Sequence, residues 1–331
     1  MSYEIKPARQ GFLVKYKDLE IGLDNATAKI NLISHAHSDH ISSNSTSLKT
    51  ITSRETARIY ETKQGRKLKR VEFISSGDTI ELTDNVKIVA LNAGHVLGSL
   101  QFLIETDDFR LLYTGDFNAE DSILYKGAKP VDTDILIVDS TYGAPHYIFP
   151  PRRELYSKIV MNALRIVSAG YIPVFKAYSL GKAQEAIALL ERARFDVICG
   201  NRIINEINQV YIESGIKLQN KSLGDILINE ILSPNRNVAF VVSNMNAFSK
   251  SLRARYGESA AKKILSRTEA IPLTGWALKI KRGIPLSGHS DFAHLINYIE
   301  DTNARKIYPF TSFGRVLAKI LKQKGYDAEP L

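Results

Sequence analysis

The sequence predicts a mixed α/β chain in which strand-rich ends enclose a separate helix–strand block. Three observations predict it. Residues before Arg152 form short β-rich segments divided by turns. From Arg152 helical and strand periods alternate, and near the C-terminus one strand is flanked by two amphipathic helices. A length of 331 residues suits about two domains at roughly 150 residues each.

Lys29–Ser34, Val86–Leu91, Leu100–Glu105 and Phe109–Tyr113 are rich in β-branched and aromatic residues and read as strands. Gly77-Asp78 and Asp107-Asp108 punctuate them as turns. Asp134–Asp139 is an apolar run ending in an acid, the pattern of a buried strand that delivers a side chain at its C-terminal end. Leu155, Ile159, Leu164 and Val167 give Arg152–Ala169 a helical period. Ile172–Phe175 is a strand, Leu180–Arg194 a helix, and Asp196–Cys199 and Val238–Val242 are further strands. Helix His294–Asp301, strand Lys306–Tyr308 and helix Gly314–Lys324 close the chain. The expected organisation is therefore 1–151 and 276–331 as two parts of one domain, with 152–275 as a distinct α/β unit between them.

Apolar residues make up 44% and charged residues 24% of the chain, which excludes disorder, collagen-like repeats and coiled coils. The single cysteine, Cys199, excludes a disulfide framework and a cysteine-based zinc site; at the end of an apolar strand it reads as an inert buried thiol. No apolar run is long enough to span a bilayer, and the opening MSYEIKPARQ lacks the apolar stretch of a signal peptide, so a cytoplasmic protein is expected. The net charge of +9 favours polyanionic partners, nucleic acid first. That charge is clustered. Residues 236–282 carry ten basic side chains against Glu258 and Glu269, and residues 54–70 carry seven, Arg54, Arg58, Lys63, Arg66, Lys67, Lys69 and Arg70, against Glu55 and Glu61. Each cluster is either a solvated face or a phosphate-binding surface.

Three of the seven histidines fall within six residues, His35-Ala36-His37-Ser38-Asp39-His40, directly after a predicted strand. Alternation sends His35 and His37 to one side, and a following turn can swing Asp39 and His40 to another. That suits two adjacent metal ions with nitrogen and oxygen ligands. Further ligands stand beside glycines: His95 in Gly94-His95, Asp116 in Gly115-Asp116 and His289 in Gly288-His289. Glycine allows the tight turns such ligands need, and a carboxylate at Asp116 could bridge both ions.

In this order Asp24, the HAHSDH cluster, His95 and Asp116 resemble the metallo-β-lactamase superfamily. Asp139-Ser140-Thr141-Tyr142-Gly143, Tyr178–Glu185 and Pro285–Asp291 narrow the resemblance to its β-CASP nucleases, closest to the mRNA 3′-end processing factor-like and DNA-ligase-associated exonuclease branch. More distant relatives are Artemis-type DNA nucleases, ribonuclease J and the cleavage/polyadenylation endonuclease. The implied fold is an αββα sandwich with an inserted α/β β-CASP domain. The implied activity is hydrolysis of nucleic-acid phosphodiesters at a dinuclear zinc site (two Zn²⁺, with Mn²⁺ also accepted), 5′→3′ in direction. His35, His37 and His95 would hold one ion, Asp39, His40 and His289 the other, with Asp116 bridging. Asp39, Asp116, His289 and Asp139 would carry catalysis. Asp24 and Asp139 would accept the outer N–H of ligand histidines. At the family's third signature ribonucleases have histidine and Artemis-type enzymes valine. Phe313 aligns there, with Thr311 as the alternative, and the lean is toward single-stranded DNA. Lys182, Arg253, Arg255, Lys279, Lys281 and Arg282 are the expected nucleic-acid contacts, with Tyr178 or Trp276 as possible base-stacking groups. A ligase or a processing complex would be the partner. Rival readings are an RNA-processing or RNA-decay nuclease, an inactive nucleic-acid-binding subunit and a small-molecule metallohydrolase. The complete ligand set argues against the inactive subunit, and the basic charge and inserted block argue against the metallohydrolase.

Overall fold

A computed structural model describes residues 3–41 and 46–331. The chain divides into two compact units, one of residues 1–121, 125–148 and 288–331, the other of residues 122–124 and 149–287.

The first unit is built on two sheets. The six-stranded sheet runs in chain order, Tyr3–Pro7, Phe12–Tyr16, Leu19–Leu23, Ile30–Leu32, Lys49–Thr52 and Val71–Phe73. Its first three strands are antiparallel and its later pairings parallel. The seven-stranded sheet has the order Asp327–Ala328, Lys306–Phe310, Ile135–Asp139, Arg110–Tyr113, Leu100–Thr106, Val86–Asn92 and Thr79–Thr83. Alternation along its strands builds two cores at once. Val86, Ile88, Ala90, Phe102, Ile104, Leu111, Ile135 and Ile137 join Phe12, Val14, Ile21, Leu23, Leu32 and Ile51 of the other sheet. Their neighbours Leu103, Leu112, Leu136 and Val138 face the opposite way, onto Leu295, Ile299, Leu317 and Leu321 of helices Phe292–Asp301 and Gly314–Gln323. Helix Arg54–Gln64 packs Tyr60 with Ile33 and Ile41. The unit is thus a helix-flanked double sheet, the layering expected for an αββα sandwich. The buried strands end at their carboxyl side on Asp139 and, two residues past Thr114, on Asp116.

The second unit holds a five-stranded, wholly parallel sheet in the order Lys221–Ser222, Asp196–Cys199, Val238–Val242, Ile172–Lys176, Thr268–Pro272. Such a sheet must be covered on both faces. Helices Arg152–Ser168 and Lys182–Arg192 cover one with Ile159, Ala163, Ile187 and Leu190. Helices Met245–Tyr256 and Glu258–Leu265 cover the other with Phe248, Leu252 and Ile264. Residues 276–287 group with this unit, because Leu273 bridges to Ile284 and both pack with Leu286 in its core. Cys199 is buried there, and burial pushes its thiol pKa up to about 12. No helix among the described residues is long and apolar enough to cross a membrane.

Candidate metal centre

The site lies within the first unit, on loops that leave strand ends. His35 and His37 follow Ile30–Leu32, and His95 sits in the connection between Val86–Asn92 and Leu100–Thr106. His289 precedes helix Phe292–Asp301. Asp116 is set by Gly115, whose φ of +53° and close approach to Ser34 (a Cβ would lie 2.6 Å from the Ser34 Cβ) leave room only for glycine.

His35 Nε2 lies 2.9 Å from His37 Nδ1, and His95 Nε2 lies 3.1 Å from the same atom. Asp116 Oδ2 is 3.4 Å from His35 Nε2, 3.6 Å from His95 Nε2 and 3.9 Å from His289 Nε2. His40 Nε2 is 3.2 Å from the other oxygen, Asp116 Oδ1. His35, His37, His95 and Asp116 form one group able to hold a metal ion, and Asp116, Asp139 and His289 form another, each offering ligand atoms within 4.8 Å of one another.

The outer ring nitrogens explain why the inner ones converge. Ser34 Oγ donates to Asp24 Oδ2 at 2.7 Å, so at 2.9 Å from His35 Nδ1 it must accept that ring's proton. His95 Nδ1 donates to the Gly288 carbonyl at 2.7 Å. His40 Nδ1 donates to Asp24 Oδ2 and His289 Nδ1 to Asp139 Oδ2, both at 2.7 Å. Each proton held outside turns Nε2 of His35, His40, His95 and His289 inward, with a free lone pair wherever the ring is neutral.

Two observations test whether a metal ion fits. Asp116 Oδ1 is buried with no hydrogen bond of proper geometry, although His40 is near. And Nε2 of His35, Nε2 of His95 and Nδ1 of His37 gather about one point, the convergence of nitrogen donors that a metal ion needs. The 2.9–3.1 Å spacings approach the roughly 3.3 Å edge of a tetrahedron with Zn–N bonds of about 2.0–2.1 Å. The residues fit.

Electrostatics divide the cluster. Burial lowers the pKa of His35, with His40 adding to it. Burial also lowers His37 and His95 strongly, helped by the neighbouring imidazoles. These rings are neutral, the form that ligates. At His40 burial again works against charge, but Asp116 and Asp24 outweigh it and hold the pKa well above its ordinary value. Burial would raise Asp116, but His40, His289 and His35 hold it well below the usual carboxylate range.

Asp39 is the expected ligand that stays apart: its side chain is 78% exposed, with Oδ2 4.0 Å from His40 Nε2. Asp24 and Asp139 stand behind His40 and His289. Asp24 also accepts from Ser34 N and the buried Tyr113 hydroxyl at 2.6 and 2.7 Å, and Asp139 from Thr141 N and Thr311 Oγ1, both at 2.9 Å. Ser34, Tyr113 and Gly288 are marked in the sequence by standing close to candidate ligands, and Thr311 by its place at the third signature. Of the two candidates for the third signature, Thr311 reaches Asp139, whereas Phe313 packs on the rings of His146 and Tyr147.

The expected nucleic-acid contacts lie in the second unit. Lys182 opens its helix, with Nζ 4.7 Å over the Tyr178 ring, which is 65% exposed. Arg253 pairs with Glu258 at 2.9 Å, and Arg255 donates to the carbonyls of Leu223 and Gly224. Lys279, Lys281 and Arg282 are exposed, and Trp276 is half-buried.

No protein-family model matches the chain. It is 28% identical over 316 residues to a probable DNA ligase of Opitutus terrae, covering 91% of this chain and 28% of that protein. It is 28% identical over 190 residues to an RNase J-like protein of Methanocaldococcus jannaschii, covering 51% of this chain and 44% of that one. The chain thus spans 28% and 44% of the length of these two relatives. A crystal structure of a protein of unknown function from Enterococcus faecalis V583 shares the fold, with a TM-score of 0.59, 13% identity and coverage of 91% and 90% of the two chains.

Proposed function

We propose that this chain, which belongs to the β-CASP family of the metallo-β-lactamase superfamily, is a metal-dependent nuclease hydrolysing phosphodiester bonds. One observation carries the reading: neutral imidazoles of His35, His37 and His95 and the buried carboxylate of Asp116 offer ligand atoms within 4.8 Å of one another. A divalent ion held there supplies Lewis acidity and lowers the pKa of water toward neutrality. Three imidazoles favour Zn²⁺, and the His/Asp set also accepts Mn²⁺. A second ion would lie across Asp116, held by His40 and His289, with Asp39 as the exposed carboxylate available to complete its shell.

The chain's own residues define the remaining chemistry. The two oxygens of Asp116 face different ligand groups, as a bridge requires. Asp24 and Asp139 keep the outer protons of His40 and His289 in place, so neither ring gives up that proton during turnover. Lys182 and the exposed Lys279, Lys281 and Arg282 would contact the phosphate backbone. Arg253 and Arg255 are already engaged, and we give them a lesser part.

We favour DNA, read as single strands from the 5′ end. A similarity over 316 residues is to a probable DNA ligase, and neither Thr311 nor Phe313 offers the histidine of the ribonuclease signature. A ligase is accordingly the partner we favour over a processing complex. The similarity to an RNase J-like protein supports RNA as the second reading. The test is cleavage by zinc-loaded protein of matched single-stranded DNA and RNA, each with 5′-phosphate or 5′-hydroxyl, against His37→Ala. Shortening of DNA from the 5′ end, absent in the variant, is the expected result. Preferential RNA cleavage moves the protein to RNA processing, and cleavage retained by His37→Ala refutes the metal assignment.

A further inference from the structure

The basic cluster at residues 54–70 lies in the same unit as the candidate metal centre. Ser53 caps helix Arg54–Gln64 by accepting from Thr56 N, and Thr56, Ile59 and Tyr60 face inward. Both ends of this helix are tied to loops that carry ligands. At its start Ser53 Oγ and Thr56 Oγ1 donate to the Gly98 carbonyl at 2.7 and 3.0 Å, in the loop of His95. At its end Lys63 Nζ donates at 2.7 Å to the carbonyl of Ala36, the residue between His35 and His37. The eleven-residue helix therefore runs alongside the metal centre as a fixed rod of about 16 Å.

Its outer surface is cationic. Arg54 and Arg58 are exposed one turn apart, and Arg66 and Lys69 continue the exposed charge beyond it, beside Lys67, 3.9 Å from Glu61, and Arg70, which donates to the Ser47 carbonyl. Like charges at i,i+4 weaken a helix, so self-stability does not account for the pair. The Arg54 guanidinium lies 4.6 Å over the ring of Phe73, which is 43% exposed at the end of the edge strand Val71–Phe73. An exposed ring with a guanidinium across it offers a surface for an unpaired base beside a row of phosphate contacts.

We infer that this ridge is a binding track for single-stranded nucleic acid, with phosphates on Arg54, Arg58, Arg66 and Lys69 and a base against the Arg54–Phe73 pair. It rests on the nucleic-acid reading above. The track needs neither the inserted block nor a bound metal, so it can be tested in the full chain with cleavage silenced by His37→Ala. Binding of a 5′-phosphorylated oligothymidylate is measured by fluorescence anisotropy across a salt series. In that background, Arg54→Ala with Arg58→Ala should make the log–log salt dependence shallower by about 1.4, the share of two phosphate contacts on a single strand. Arg54→Lys with Arg58→Lys should keep the slope. Phe73→Ala should weaken binding about tenfold at unchanged slope. Binding with a slope that the alanine pair does not alter overturns the ridge and leaves the nuclease reading standing. No binding at low salt by the parent overturns both.

Discussion

On one side of Asp116, His35 and His95 are buried and His37 half-buried, all three neutral, with uncharged groups behind two of them, the Ser34 hydroxyl for His35 and the Gly288 carbonyl for His95. On the other side, His40 and His289 are each backed by a carboxylate, and His40 is held charged between Asp24 and Asp116. The first group presents lone pairs and asks for a cation; in the second, His40 has already answered its carboxylates with a proton. The lesson is that the proposed dinuclear centre would be built from two unlike halves. In our account one half would take its ion readily, and the other would exchange a proton for it.

The largest effect should come from the first half. His37→Ala removes the atom on which two other rings converge, and we expect loss of bound zinc by elemental mass spectrometry and cleavage no higher than in metal-free protein, with the circular dichroism of the folded chain retained. Asp139→Asn acts on the second half alone. It should weaken the ion beside His289 by about 10–100-fold while the tighter ion remains, so zinc titration followed by native mass spectrometry should show one tight site and one weakened. Equal loss at both would dissolve the distinction.

The halves also differ in pH response. His40's folded pKa is raised, so its contribution to the stability of metal-free protein is fully present below its ordinary 6.5 and is lost as pH rises through the raised value. Asp116's is depressed, so its contribution is present above its ordinary 3.8 and lost as pH falls through the lowered value. An ion entering beside His40 must displace that proton. Calorimetry in buffers of different ionisation enthalpy should therefore register release of about one proton with the second ion and about none with the first. The smallest effect belongs to Thr311→Ala, which deletes one of the hydrogen bonds on Asp139 Oδ1. It should change the second ion's affinity by about threefold or less, and a loss as large as that of Asp139→Asn would mean Thr311 touches the ion or substrate directly.

Much of this was legible in the residues because the ligands are local. HAHSDH follows a strand, and the alternation that sends His35 and His37 the same way is a property of extended backbone. Asp139 ends a buried strand at its last position, and the strands Asp196–Cys199 and Val238–Val242 coincide with their apolar runs. What pairs the ligands is not local. Nothing near Asp24 in sequence says that Tyr113 and His40 will meet on its carboxylate, and Asp39, chemically as good a ligand as its neighbours, turns out to solvent. Arg253 and Arg255 looked like phosphate contacts by charge alone, but a nearby acid and two carbonyls claim them. Helix Arg54–Gln64 was hidden by its composition, since its inward face is only Thr56, Ile59 and Tyr60, too thin an apolar stripe to stand out among charges.

Diffraction at the zinc absorption edge from crystals of zinc-loaded protein tests the central claim most directly. The account predicts two anomalous peaks on opposite sides of the Asp116 carboxylate, one among His35, His37 and His95 and the other beside His40 and His289, the second weakening first as the crystals are moved to lower pH. A peak elsewhere, or a single peak that persists at saturating zinc and high pH, would contradict it.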